Sequence, residues 1–177
     1  GADSVLESDE ADELERLLAA VADPGRAGLV RAALATDLVG LRASAIAALE
    51  TDEQQWERWV ERLWAWRELW TRRGLFPMLR RVLAEQRVAR RLLSWTGGER
   101  RISNLLHLAE LLQAAAAQQR LDAAGLLAWL RQERAQGDGD GRAEARQIRL
   151  ESDEDAVELV TMHACKGLQY PVVLCPY

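Results

Sequence analysis

The sequence predicts a mainly α fold that gives way, near its end, to the edge of an α/β sheet. Three observations predict it. Alanine, leucine and arginine dominate the composition, and all three favour helix. Apolar residues recur at helical spacing from Leu14 to about Arg134. Beyond the loop Gln136-Gly137-Asp138-Gly139-Asp140-Gly141 the period changes to short β-branched runs.

The first helix is predicted over residues 10–22, where Leu14, Leu17, Leu18 and Val21 share a face. Ser8 or Asp9 caps it, and Asp23-Pro24-Gly25 ends it. A second helix is predicted from about Ala27 to Ala35, and a short one near Arg42–Leu49. Thr51-Asp52-Glu53-Gln54 reads as a capping box opening a long helix. On that helix Trp56, Trp59, Val60, Leu63, Trp66 and Trp70 fall in one narrow arc, with Trp64 at its edge. Such a row stacks bases in some proteins. The aliphatic residues within it favour a buried seam against neighbouring helices.

Gly74 stops the long helix, and Pro77 lies in the first turn of the next, where its missing N–H costs nothing. One helix is expected to carry Arg80, Arg81, Arg87, Arg90 and Arg91 up to Gly97-Gly98. Another runs from Ile102 to Gln119 with Leu105, Leu108, Leu111 and Leu112 inward, and His107 on it is read as structural. Asp122 caps a last helix to about Arg134. The Gly/Asp loop that follows is predicted to be flexible. Its spacing faintly matches a calcium loop but lacks the closing glutamate. No metal site is expected.

A chain of 177 residues suits one domain or two small ones, and nearly half its residues are apolar. No apolar run approaches the roughly 20 residues of a membrane span, and no signal segment opens the chain. Cys165 and Cys175 form neither a disulfide framework nor a paired CxxC site, which fits a reducing cytoplasm. The net charge of -5 is uneven. Residues 1–55 hold four Arg against twelve acids, whereas residues 56–101 hold twelve Arg against five Glu. That basic block either faces phosphates or is solvated by Arg/Glu pairs along helix faces.

The most informative stretch is Val157 to Leu174. It holds Lys166, the only lysine; every other basic side chain is arginine. It also holds His163, one of two histidines. Val157–Met162 and Pro171–Cys175 read as buried strands joined by a turn at Lys166-Gly167. Two strands build no doubly wound sheet, so the chain is expected to be a fragment, or its strands join another polypeptide.

Thr161-x-His163-x-x-Lys166-Gly167-Leu168-Gln169-Tyr170 resembles motif V of the UvrD/Rep-like superfamily 1 DNA helicases, T-x-H-x-x-K-G-L-E-[FY]. Ser4-Val5-Leu6-Glu7-Ser8, Asp23-Pro24, Gly98 to Gln113 and Ile148 to Asp153 are similar to the exodeoxyribonuclease V type of helicase–nuclease subunit. The resemblance implies an organisation. Residues 1–36 are a piece of the second RecA-like motor domain leading into an insertion. Residues 37–147 are the inserted helical subdomain, and 148–177 are the motif V strand–turn–strand of an incomplete RecA-like domain.

The resemblance also implies roles. Thr161 and His163 contact the DNA backbone, and Lys166, Gly167 and Gln169 lie toward the nucleotide. Gln169 departs from the family's glutamate, so it brings a hydrogen bond without a charge. The parent is implied to use ATP and Mg, to act on single strands and duplex ends of DNA, and to assemble with gamma and alpha subunits in the bacterial cytoplasm. The chain has no G-x-x-x-x-G-K-[ST] phosphate loop, so alone it is expected neither to hydrolyse ATP nor to cut DNA. The alternatives are a non-enzymatic helical interaction module and an AddA-type helicase–nuclease subunit.

Overall fold

The structure is a computed structural model that describes residues 5–135. Among them there is no strand, and a 3-10 turn at Val5–Glu7 precedes eight α-helices. Helix α1 (Asp9–Ala22) begins at Ser8, whose side chain accepts from the Ala11 N–H and donates to the Val5 carbonyl. Asp9, Glu10 and Asp12 occupy its first turn, where the helix dipole favours negative charge. Asp23 closes it. Ala11, Leu14, Leu17, Leu18, Ala20 and Val21 are all at most 2% exposed. Five consecutive residues, Leu17 to Val21, are buried, so the helix is enclosed on every side along its second half. It packs against α2 (Ala27–Leu34), α4 (Glu53–Arg73), α7 (Gly98–Gln119) and α8 (Ala123–Ala135). The core is therefore built around α1.

Between α2 and α4 lies the short α3 (Ala43–Ala48), which has no buried residue of its own. The N-cap of α4 is Asp52, whose carboxylate accepts from the Gln55 N–H at 2.9 Å. The capping box expected of Thr51 and Gln54 is thus displaced by one residue. The Thr51 hydroxyl instead donates to the Ala48 carbonyl and closes α3. Of the tryptophan arc, Leu63, Trp66 and Trp70 are buried, whereas Trp56, Trp59 and Val60 are half-buried. The arc is core only over its C-terminal half, because α5 (Leu75–Glu85) covers α4 from that end. Trp64 is exposed.

One arginine-rich helix was expected before Gly97-Gly98, and two are found. α5 stops at Glu85, and α6 (Val88–Leu93) starts after Arg87, whose backbone is left-handed with φ 50°. The break lets Leu75, Met78, Leu79 and Val82 of α5 and Val88 and Leu92 of α6 all be buried, which one straight stripe would not allow. Helix α6 then meets α7 at Gly98. A Cβ there would lie 1.9 Å from the Leu92 carbonyl oxygen, so only glycine fits. Helix α7 extends four residues before the expected Ile102, buries Leu105, Leu108 and Leu112 and leaves Leu111 half-buried. His107 is exposed on it. Asp122 caps α8 through the Gly125 N–H at 2.8 Å, as expected. No helix among the described residues is long and apolar enough to cross a membrane.

Candidate functional site

The motif residues Thr161, His163, Lys166, Gly167 and Gln169 lie outside the described residues, as do the Gly/Asp loop and both expected strands. Two arginine-bearing regions stand out in what is described, and they are built in opposite ways.

The first is a junction beneath α1. Arg101, one turn into α7, meets three carboxylates from two distant segments. Its Nε donates to Glu10 Oε1 at 2.6 Å, Nη2 to Glu13 Oε1 at 2.9 Å and Nη1 to Asp37 Oδ2 at 2.9 Å. Asn104, three residues on along α7, donates to the other oxygen of Glu10 at 2.9 Å. Arg101 also lies over the Trp95 ring. Arg91 completes the region by donating to three backbone carbonyls, those of Asp37, Leu38 and Gln86, at 2.8–3.0 Å. Gly40 leaves it room: a Cβ there would lie 2.7 Å from the guanidinium carbon. The junction opens into a cleft of about 840 Å³, lined among others by Glu7, Asp9, Thr36 and Arg100.

The charges settle unequally. Burial pushes Glu10 up, but hydrogen bonds from Asn104 and Arg101 outweigh it and hold the carboxyl below its usual range. Burial works against the charge of Arg101 too, and the bonds to Asp37 and Glu10 more than offset it. Glu13 goes the other way. Burial, then the neighbouring charge of Asp37, raise it to about 7 despite its bond to Arg101. Its Oε2 is buried with no hydrogen-bond partner. One guanidinium serves three acids, and the most enclosed of those left underserved is Glu13. A second set extends the pattern on α8: Arg134 pairs with Glu15 and Asp12 and donates to the Leu6 carbonyl, and Arg131 pairs with Glu15. The residues that tie α1 to α7 and α8 are separated by 88–122 positions along the chain, so no local spacing announces them. The one available signal is Arg101 inside the family-like block Gly98 to Gln113.

The second region is the basic block. Trp66 donates from its buried ring N–H to Glu85 Oε2 at 2.9 Å, and Arg81 holds the other oxygen at 2.6 Å. Burial pushes Glu85 up, yet these two bonds and the charge of Arg62 leave it below the usual range. Arg58, Arg62 and Arg81 line a shallow cleft around it. Arg62 lies over Trp59, and Arg67 over Trp64. Arg72 pairs with Glu68 one turn away. Part of the block is thus solvated by local Arg/Glu pairs. Among the described residues no group of three His, Cys, Asp or Glu side chains is placed to hold a metal ion.

No family model matches the chain. Individual proteins do. The chain is similar to the RecBCD enzyme subunit RecB of Escherichia coli, at 43% identity over 175 residues, 99% of this chain and 15% of that protein. RecB of Haemophilus influenzae is 40% identical over 98% of this chain and 14% of its own length. RecB of Mycolicibacterium smegmatis is 36% identical over the whole chain and 16% of its own length. All three relatives are named as subunits of one enzyme, RecBCD. The particular subunit in each case is RecB, and this chain is similar to one segment of it. It spans about 15% of the length of the curated relatives it matches.

Proposed function

We propose that this chain is the part of a RecB-type subunit that carries the inserted helical subdomain, residues 37–147, and motif V. The parent is the beta subunit of exodeoxyribonuclease V, a bacterial ATP-dependent helicase and exonuclease. It unwinds and degrades duplex DNA ends for recombinational repair, with gamma and alpha subunits, ATP and Mg. The observation that carries the reading is that similarity to RecB, at 36–43% identity, extends over 98–100% of the chain and so is not confined to the helices. An adaptor that kept only the helices would have no reason to keep Thr161-x-His163-x-x-Lys166-Gly167-Leu168.

In this reading Thr161 and His163 hold the DNA backbone. They are two residues apart on an expected strand and therefore face the same way. Hydroxyl and imidazole donors to phosphate position a strand without reading its sequence. Lys166, Gly167 and Gln169 follow the turn toward the nucleotide. One turn then touches both DNA and ATP, which links hydrolysis to stepping. The test is His163→Ala in the full-length subunit assembled with its partners. Unwinding is expected to fall more than DNA-stimulated ATPase, at an unchanged melting temperature. Unchanged unwinding, or a loss that the melting temperature accounts for, overturns the role.

A further inference from the structure

Between α2 and α3 the chain makes a turn, Thr36–Gly40, that is fastened in several ways. The Gly40 N–H donates to the Thr36 carbonyl at 2.7 Å, and Leu38 and Val39 are buried. Arg91 of α6 holds the Asp37 and Leu38 carbonyls. The last fastening differs in kind. It is the ion pair between the Asp37 carboxylate and Arg101 of α7, at residues that line the solvent-open cleft.

Glu13 competes for the same guanidinium. Its Oε1 accepts from Arg101, and its Oε2 is buried without a hydrogen-bond partner, so Oε2 is the oxygen that takes a proton. Counting charges decides what that proton does. Arg91 and Arg101 balance Glu10 and Asp37, so the junction is neutral while Glu13 is protonated and carries an excess negative charge once Glu13 ionises. Burial, then the charge of Asp37, keep the proton on Glu13 against the pull of Arg101 and the Leu38 backbone. The other charged groups lining the cleft bring no relief: Glu7, Asp9 and Asp12 outnumber Arg16 and Arg100, and Arg16 is paired with Asp12. Helices α2 and α4 contribute no charged residue to the lining, and Arg134 of α8 is paired with Asp12 and Glu15. Excess charge is relieved at the weakest attachment. The Glu10 side chain is 6% exposed and is held by both Arg101 and Asn104. The Asp37 side chain is 41% exposed and is held by Arg101 alone, so water can replace the guanidinium there.

We propose that Glu13, Asp37 and Arg101 form a proton-operated latch: protonated Glu13 leaves Arg101 to hold the Thr36–Gly40 turn against α7, and ionised Glu13 releases the Asp37 carboxylate to solvent. The proton passes to water and no covalent bond changes. Arg91 keeps its grip on the turn's carbonyls in both states, so the latch sets the freedom of this connection without unfolding it. The device does not depend on the RecB reading, which is judged separately by unwinding in the assembled subunit.

The test follows the isotope-labelled 177-residue chain by NMR across a pH titration, reading signals of the folded state only. The Glu13 carboxyl carbon is expected to titrate with a midpoint of about 7. The Asp37 carboxyl, the Arg101 Nε–H and the Leu38 and Gly40 amides are expected to move with that same midpoint. With the ordinary value of 4.5 restored in the open latch, the closed-to-open ratio falls about tenfold between about pH 6 and about pH 8. Val82, in the core of α5, is expected to stay still. Glu13→Gln keeps the shape and cannot ionise, so its turn signals are expected to hold their low-pH positions throughout. Asp37→Asn removes a charge that holds the proton on Glu13 and is expected to lower the Glu13 midpoint. Circular dichroism melts verify that both variants fold like the parent. A Glu13 that titrates at its ordinary value, or turn signals that ignore its titration, overturns the latch. So does movement that persists in Glu13→Gln, or a Glu13 midpoint unchanged by Asp37→Asn.

Discussion

Arginine is used in two ways within one helical unit. At the junction of α1 and α7, Arg101 and Arg91 are largely enclosed and their donors are taken by carboxylates and carbonyls. On α5 and α6, Arg80, Arg87 and Arg90 reach solvent without partners. The difference lies in what surrounds each. Glu10 and Glu13 of α1 are themselves buried or nearly so, and an uncompensated buried carboxylate is costly, so the guanidinium is fixed by need. The outer helices carry a single acid, Glu85, so Arg80, Arg87 and Arg90 stay in solvent. A guanidinium count in the sequence does not separate the two; the burial of the opposing carboxylates does.

The largest test of that contrast is made beneath the basic face, at Trp66. Trp66 is 1% exposed and its N–H holds Glu85, which holds Arg81. Trp66→Ala is expected to cost roughly 3–5 kcal/mol in denaturant unfolding. A melt like the parent's combined with lost DNA affinity would show instead that this ring stacks bases. Next in size is Arg101→Ala. It strands Glu10, Glu13 and Asp37 together, and breaking a largely buried pair of this kind is expected to cost about 3 kcal/mol. A change below about 0.5 kcal/mol would erase the distinction between the two regions.

A smaller effect belongs to Glu13. Its folded pKa of about 7 lies above the unfolded 4.5, so the folded state holds its proton longer than the unfolded one. Stability from this group is present below about pH 4.5 and is lost as the pH rises toward and through 7. Melting temperatures recorded across that window are expected to fall with rising pH. Glu13→Gln is expected to flatten the fall, and an equally steep profile in that variant would assign it to another group. The smallest effect is Arg80→Ala, expected to change stability by no more than about 0.5 kcal/mol, because the side chain touches no partner. A larger loss would mean that the outer face is structural after all.

The helices were largely legible from the sequence because their signals are local. Ser8, Asp23, Gly74 and Asp122 mark ends by their own chemistry, and the leucines of α1 and α7 keep the helical period. Where the reading slipped, a tertiary preference overrode a local one. The Arg80–Arg91 stretch breaks at Arg87 because two apolar stripes out of register both find cover. Trp56 and Trp59 have the same spacing as Trp66, yet no element covers them fully, and spacing says nothing of what lies opposite. The junction itself was invisible, since Arg101 and Glu10 stand 91 residues apart. For the stretch Thr161 to Tyr170 only the sequence speaks; its residues lie outside those described.

The enclosure of α1 has a consequence for how the chain comes to be folded. Helix α2 follows α1 at once, but two other partners of α1 are made much later: α7 closes on it through Arg101, and α8 through Arg131 and Arg134. During synthesis at about 5–20 residues per second, the enclosure of α1 that buries Leu14, Leu17 and Leu18 is completed only several seconds after the helix itself is made. The entropy of closing so long a loop grows only slowly with its length, so the delay is one of order rather than of energy. A nascent chain halted before α7 would present a sticky, acid-edged helix. In pulse-labelled refolding, the amides of α1 are expected to gain protection together with those of α7 and α8, and not ahead of them.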